Sequence, residues 1–207
     1  VDIGGGTTDI AIFTDGDIKH TAVIPLAGQM VTKDIQIGLR TSFEAAEDIK
    51  QKYGSLVNET NDAQINIPVP SISDKPESEV NKPILTHMIT CRVDEIFQQI
   101  EEEINSSGWA SKIRAGVVFT GGGCKLHGLD IYAENKLLMP TRVGSPKEIT
   151  GIQNLSGKTR YATAVGLLLY KDEKLNEMPH RRKSENPFLR YLEIVWKKFS
   201  IYFQREL

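Results

Sequence analysis

Cysteines, grouped histidines and long apolar runs are scarce in this sequence. Two cysteines, Cys91 and Cys124, occur in 207 residues. They cannot build a disulfide framework, and they read as free thiols of a reducing compartment. The four histidines, His20, His87, His127 and His180, are scattered without metal-ligand spacing, which argues against a zinc site. No apolar run approaches the ~18 residues that a membrane-spanning helix needs. The longest, around Ala164–Tyr170, stops at about seven. No methionine precedes Val1, and the chain opens on the strand-like Val1-Asp2-Ile3 rather than on a leader pattern. Val1 stands inside a glycine-loop motif, so the chain is expected to be the C-terminal half of a longer protein. With 40% hydrophobic and 25% charged residues, the composition is that of a folded chain and not of a disordered one. Its length suits one ordinary domain, or two small ones sharing a core.

The net charge of −2 conceals an asymmetry. From His180 onward, seven basic residues face three acidic ones, a tail of +4 that leaves −6 for the rest. A weakly acidic body with a basic, aromatic tail argues against nucleic acid and for a tail with its own partner.

Val1–Ile3 and Asp9–Phe13 read as strands joined by glycines, and Asp15-Gly16 marks a tight turn into the alternating Asp17–Ile24. Val31, Ile35 and Leu39 recur at helical spacing. A second helix is predicted from Ser42, a plausible N-cap, to Gly54. Residues 57–83 are rich in Asn, Asp, Pro and Ser, with a strand over Gln64–Val69 and an exposed loop around Ser73–Lys82. A long amphipathic helix is predicted from Pro83 to about Ser106, its stripe formed by Ile84, His87/Met88, Cys91, Glu95/Ile96, Ile100 and Ile104. Ala115–Thr120 has the composition of a buried strand. Helices are predicted over Leu126–Lys136 and Thr159–Tyr170.

Three constellations carry chemistry. In Asp2-x-Gly4-Gly5-Gly6-Thr7-Thr8-Asp9, glycines bring backbone N–H groups against an anion with no Cβ in the way. The Thr7 and Thr8 hydroxyls add donors, and the flanking carboxylates can reach a magnesium ion through its water shell. A ligand-free hairpin turn needs fewer glycines. The second, Phe119-Thr120-Gly121-Gly122-Gly123-Cys124-Lys125, follows a buried strand and precedes a helix, a layout that sets a nucleotide close to backbone. A tight strand-to-helix turn is the plain alternative, and Lys125 reads equally as a surface lysine. The third is Glu47-x-x-Lys50 on one helix face, which taken alone is a solvated ion pair.

The tail has a pattern of its own. Pro187 can open a helix, and Phe188, Leu192, Val195, Phe199 and Tyr202 share one face, flanked by Leu189, Trp196, Phe203 and Tyr191. Arg190, Glu193, Lys197, Ser200 and Gln204 lie opposite, a face that Ile194 and Ile201 interrupt. Aromatic bulk flanked by cations fits a helix lying in a lipid interface, and a helix docked on its own domain is the alternative.

The stretches VDIGGGTTDIAIFTDGDIKHTAVIPLAGQMVTKDI, AEDIKQKYG, VVFTGGGCKLHGL and ATAVGLLLY resemble, in order and spacing, the FtsA family of bacterial cell-division proteins within the actin-like ATPase superfamily. The resemblance implies an α/β, actin-like (ribonuclease H-like) fold, second lobe only, with a C-terminal amphipathic helix. It implies subdomain 2A at 1–40 and 113–175, subdomain 2B at 41–112, a linker at 176–186 and a membrane-targeting helix at 187–207. ATP and Mg²⁺ would be the cofactors, with weak or no turnover and no metal ligand supplied directly. Asp2, Gly4, Gly5, Gly6, Thr7 and Thr8 would form the second phosphate loop, with Asp2 reaching the hydrated Mg²⁺. Gly121, Gly122 and Gly123 would form the adenosine loop, and Glu47 and Lys50 would line the adenosine pocket. Arg92 and Glu95 would receive the C-terminal peptide of the tubulin-like protein FtsZ. Phe188, Leu192, Val195, Trp196, Phe199 and Phe203 would enter the membrane. The implied role is a self-associating adaptor that tethers the FtsZ ring to the cytoplasmic face of the inner membrane at the division site. An actin-like pilus-assembly adaptor and a sugar kinase of the same superfamily are the alternatives.

Overall fold

A computed structural model describes residues 1–72, 76–146 and 158–177. Strands β1 (Asp2–Ile3), β2 (Thr8–Thr14) and β3 (Asp17–Ile24) form an antiparallel meander. Asp15 and Gly16 both take positive φ, 56° and 86°, the two-residue turn whose twist matches that of paired strands. Along β2, Thr8, Ile10 and Ile12 are buried while Asp9, Ala11 and Phe13 face outward. One face of the meander is therefore committed to the core.

Helix α1 (Gly28–Leu39) begins three residues before the predicted Val31. The cause is tertiary. Gly28 N–H donates to Gly4 O and Gln29 N–H to Gly5 O, at 3.1 and 2.8 Å. The glycine loop thus serves the first orphan donors that Ala27, at the N-cap, has no side chain to serve. Helix α2 (Phe43–Tyr53) ends as predicted: Ser42 Oγ accepts from Ala45 N–H at 3.1 Å, and Gly54 N–H donates to Lys50 O at 2.9 Å.

Strand β4 (Asn66–Val69) follows a single helical turn at Asp62–Gln64, where the sequence predicts strand from Gln64. The loop expected over 73–82 is corrected in part. Its residues 73–75 lie outside the described ones, but Ser78–Asn81 form β5, antiparallel to β4. The Ser-Glu-Val-Asn stretch shows no alternation. Its pairing with β4 and one buried side chain, Val80 opposite Ile67, make it a strand.

Helix α3 (Lys82–Ser106) starts one residue before its predicted limit; it buries Ile96, Ile100 and Ile104 of the predicted stripe but a different face in its first half. Leu85, Ile89, Val93, Ile96, Phe97, Ile100 and Ile104 are buried, whereas Ile84 is 55% exposed and Cys91 is exposed. Both stripes have helical spacing. The helix turns toward the one that buries branched aliphatics, leaving His87, Cys91 and Glu95 outside.

Strands β6 (Val117–Phe119) and β7 (Thr141–Val143) are parallel, joined through α4 (Leu129–Leu137) as a parallel pair requires. The predicted start of α4 at Leu126 moves to Leu129, because Gly123–Lys125 form a separate tight turn and Gly128 takes φ 79°. Ile3 N–H donates to Thr120 O and Thr120 N–H to Val1 O, at 2.9 and 2.8 Å. These bonds bring β1 alongside the end of β6, so the two glycine loops leave neighbouring strands at the same edge. Phe97 on α3 joins the halves of the core, its ring 5.4 Å from that of Phe119 and 5.5 Å, edge-on, from that of Tyr132.

The chain divides into two compact units, Val1–Val165 and Gly166–Leu207. Helix α5 (Ala162–Glu177) begins in the first, after a turn at Thr159–Tyr161, and makes up the described part of the second. Among the described residues no helix is long and apolar enough to cross a membrane. Residues 178–207, with Phe188, Leu192, Val195, Trp196, Phe199 and Phe203, lie outside the described ones.

The corrected phase of α3 has a direct consequence. Ile89→Ala should cost about 2–5 kcal/mol as a cavity-forming change, and Ile84→Ala less than about 0.5 kcal/mol as an exposed one. Urea denaturation of the two variants measures the difference, and equal costs would restore the stripe read from the sequence.

Candidate functional site

Three segments far apart in sequence meet around one cleft of about 610 Å³. Gly4 and Gly5 of the β1–β2 loop form one wall with Gly28 and Gln29 at the start of α1. Glu47, Lys50 and Gln51 of α2 form a second, and Gly122, Gly123 and Lys125 a third. Val31, Val93, Ile96, Phe97, Leu126 and Leu129 supply an apolar floor, and Arg160 stands beside Gly122. A concave site with an apolar floor and converging polar groups is the usual form of a small-molecule pocket.

The glycines divide into two kinds. A Cβ on Gly121, whose φ is 91°, would lie 2.3 Å from Asp2 Oδ1, and one on Gly123 would lie 2.4 Å from Ile3 Cγ2. Both are glycine so that the loop can pack on β1. Gly5, Gly6 and Gly122 are different: an added Cβ would meet nothing nearer than 3.5 Å, and none of the three has positive φ. Neither packing nor backbone conformation in this chain requires glycine there. Moreover, among the described residues the N–H groups of Gly5 and Gly6 have no acceptor. Free backbone donors on a surface without Cβ atoms are what an anion, phosphate above all, needs in order to approach.

On the facing wall, Glu47 and Lys50 form part of a closed polar network. Lys50 Nζ reaches Glu47 Oε2 at 2.7 Å, Thr32 Oγ1 at 2.8 Å and Gly28 O at 3.0 Å. Thr32 is fully buried and donates to Glu47 Oε2 at 2.5 Å, and Gln51 Nε2 donates to Glu47 Oε1 at 2.8 Å. Burial pushes the Glu47 carboxyl upward, but the hydrogen bonds from Gln51, Lys50 and Thr32 outweigh it and hold the group below its ordinary range. Glu47 is therefore an ionised acceptor. Cys124, in the second glycine loop, donates to Gly121 O at 3.0 Å, and burial raises its thiol, leaving it protonated and inert.

Gly6, Gly121 and several other expected residues lie off this lining. Thr8 is buried and its hydroxyl donates to Leu26 O at 2.7 Å, while Thr7 donates to Asp9 at 3.0 Å. Asp2 accepts from Thr163 Oγ1 at 2.6 Å. Arg92 is paired bidentately with Asp34 of α1, at 2.6 and 3.1 Å, and with Glu95 one turn on. Among the described residues no three of His, Cys, Asp and Glu gather as a metal-holding cluster. Reading the sequence missed Thr32, Gln29, Gln51 and Arg160. Thr32 had a signal: it is a polar residue directly beside Val31 on the face that also carries Ile35.

A family model described as Cell division protein FtsA matches residues 1–166. A protein of that name from Pseudomonas aeruginosa is 44% identical over 177 residues, covering 86% of this chain and 42% of its own. One from Neisseria meningitidis is 40% identical over 169 residues, covering 81% of this chain and 41% of its own. The chain thus spans about two-fifths of the length of these relatives. Among solved structures, MreB 5 of Spiroplasma citri bound to AMPPNP superposes with a TM-score of 0.68 at 25% identity, covering 84% of this chain and 53% of that one. The chain belongs to the FtsA family of cell-division proteins and carries part of the α/β fold of the actin-like ATPases.

Proposed function

We propose that this chain supplies one lobe of an ATP-binding, self-associating actin-like protein that links the FtsZ ring to the cytoplasmic face of the inner membrane at the division site. One observation carries the nucleotide reading. The glycine loops and the Glu47–Lys50 pair meet at one cleft, and the glycines that packing does not require are those with open space before them. Gly4, Gly5, Gly6 and Thr7 would hold the phosphates, and Gly121, Gly122, Gly123, Glu47 and Lys50 the adenosine end. ATP arriving with Mg²⁺ would supply a polyphosphate for the lobes to close on, with weak or no turnover. Asp2, held by Thr163, would face the hydrated metal. In this reading subdomain 2A comprises 1–40 and 113–175, subdomain 2B comprises 41–112, and the segment 187–207 lies in the lipid interface. Identity to FtsA relatives over most of the chain favours this over a pilus-assembly adaptor or a sugar kinase.

In the full-length protein, Gly5→Val places a side chain where a phosphate would approach and touches little else. ATP affinity by calorimetry should fall more than about tenfold, ~1.4 kcal/mol, with little change in melting temperature. Unchanged affinity would make the loop structural only.

Arg92 meets an FtsZ peptide already paired, so an acidic peptide gains most by exchanging with Glu95, whose side chain is 56% exposed against 30% for Asp34. Glu95→Gln should therefore strengthen peptide binding and Arg92→Glu should weaken it about tenfold, within the range of one lost charge-assisted bond. Fluorescence polarisation at fixed salt tests both. Equal affinities across the set would remove this face from the reading.

Burial of the tail's aromatic face offers about 1.5–3 kcal/mol per large side chain, less at a hydrated interface. Its cations add about 1 kcal/mol each on anionic lipid only. Truncation after Met178 should abolish flotation with anionic vesicles and leave the thermal transition of the body in place. A truncated protein that still floats as well as the intact one would show that the anchor lies elsewhere.

A further inference from the structure

The cations on the cleft lining differ in their partners. Lys50 is paired with Glu47 at 2.7 Å. Arg160 lines the wall of the second glycine loop, and among the described residues no carboxylate pairs with it and no acceptor takes its N–H groups. Its one partner there is the ring of Tyr161, whose centroid lies 4.8 Å from the guanidinium carbon. An exposed arginine is by itself an ordinary surface residue, but two features set this one apart. The first is that stack. A guanidinium is planar and has two faces; a ring can occupy one, and doing so restricts an otherwise mobile side chain. The second is its neighbour. Gly122 is exposed, has no positive φ, and a Cβ added to it would meet only the Cβ of Arg160, at 3.8 Å. Neither packing nor backbone conformation demands glycine at 122, and its absent side chain leaves a bare, planar peptide surface next to a planar cation.

Resting on the nucleotide reading above, we infer that Arg160 is a base-stacking, specificity-determining residue of this cleft. Its guanidinium, held on one face by Tyr161, covers a face of the nucleotide base, and Gly122 leaves the room in which the base lies beside it. The arrangement suits stacking better than phosphate binding. An arginine that grips a phosphate does so with the N–H fork at its edge, whereas one laid over an aromatic ring offers its flat side. The free amides for a phosphate belong to the other glycine loop, where Gly5 lines the cleft. Stacking grows with the area of overlap, so two fused rings gain more from such a platform than one ring does. The ligand class that this wall selects is therefore a purine nucleotide over a pyrimidine nucleotide bearing the same phosphates.

The test compares ATP with CTP in the full-length protein, by calorimetry, for the parent, Arg160→Ala, Arg160→Lys and Arg160→Tyr. Arg160 is exposed and makes no ion pair with a described residue, so none of the three should shift the melting temperature appreciably. Arg160→Ala should weaken ATP about tenfold and CTP no more than about threefold, lowering the ratio of the two affinities. Arg160→Lys keeps the charge but not the plane and should resemble Arg160→Ala. Arg160→Tyr keeps a plane without the charge and should hold the ratio within about twofold of the parent. If ATP and CTP fall by one factor in Arg160→Ala and recover in Arg160→Lys, Arg160 is a charge contact of the phosphates and the inference is overturned. Unchanged affinities in all three variants, or a parent that binds ATP and CTP equally, would overturn it too. A parent that binds neither nucleotide would instead overturn the nucleotide reading, and the inference with it.

Discussion

The Gly4 and Gly5 carbonyls accept the amide hydrogens of Gly28 and Gln29, and much of the molecule is arranged around that contact. A helix N-terminus carries donors with no partner of their own and the positive end of the helix dipole. Two carbonyls from a neighbouring loop satisfy both demands. Turning those carbonyls toward α1 leaves the amide hydrogens of the same two peptide units, Gly5 and Gly6, pointing the other way. The loop thus cannot dock on α1 without presenting two donors on its far side. What reads in the sequence as a flexible run of glycines is, in the fold, a strut with a fixed polarity.

The second loop is placed by steric rather than electrostatic means. Gly121 and Gly123 lie so close to Asp2 and Ile3 that a methyl group on either would collide with β1. Because β1 also borders β2, the first loop and the second are set against the same short strand from opposite sides. That strand has only two residues, so its position depends on its neighbours rather than on its own ladder. The aromatic cluster of Phe97, Phe119 and Tyr132 holds β6 to α3 and thereby holds the second loop in place from behind.

How much of this was legible in the sequence depended on whether the deciding contact was local. The Asp15-Gly16 turn and the Ser42 cap were read correctly because the chemistry that makes them lies within a few residues. The phase of the first half of α3 was not, since Ile84–Met88–Cys91 and Leu85–Ile89–Val93 have equally good helical spacing and only packing chooses between them. The start of α1 was missed because its cap is a loop more than twenty residues earlier. Strand β5 was missed because its order comes from its partner. Gly4, Gly5, Glu47, Lys50, Gly122 and Gly123 were singled out through motif spacing and family resemblance together, and they line one cleft. Their meeting at one cleft could not be computed from separations along the chain, and the network around Thr32 became visible only when α1 and α2 were set side by side.

Helix α1 is the element on which these contacts converge, and their sizes indicate what each one does. Val31 and Ile35 are fully buried, and burial of that kind is worth about 1.5–3 kcal/mol for each side chain. The Asp34–Arg92 pair on the flank of this stripe is partly exposed, 30% and 20%, and pairs in such settings contribute about 0–1 kcal/mol, more when bidentate. Burial therefore fixes where α1 lies. The polar contacts are too weak to move it, but they are directional where burial is not. Asp34–Arg92 sets the rotation of the helix against α3, and Lys50–Gly28 sets the orientation of its first peptide unit. A helix held in place by its core side chains and in orientation by polar pins near its start and middle can keep the glycine loop in one attitude even though the loop itself makes few contacts.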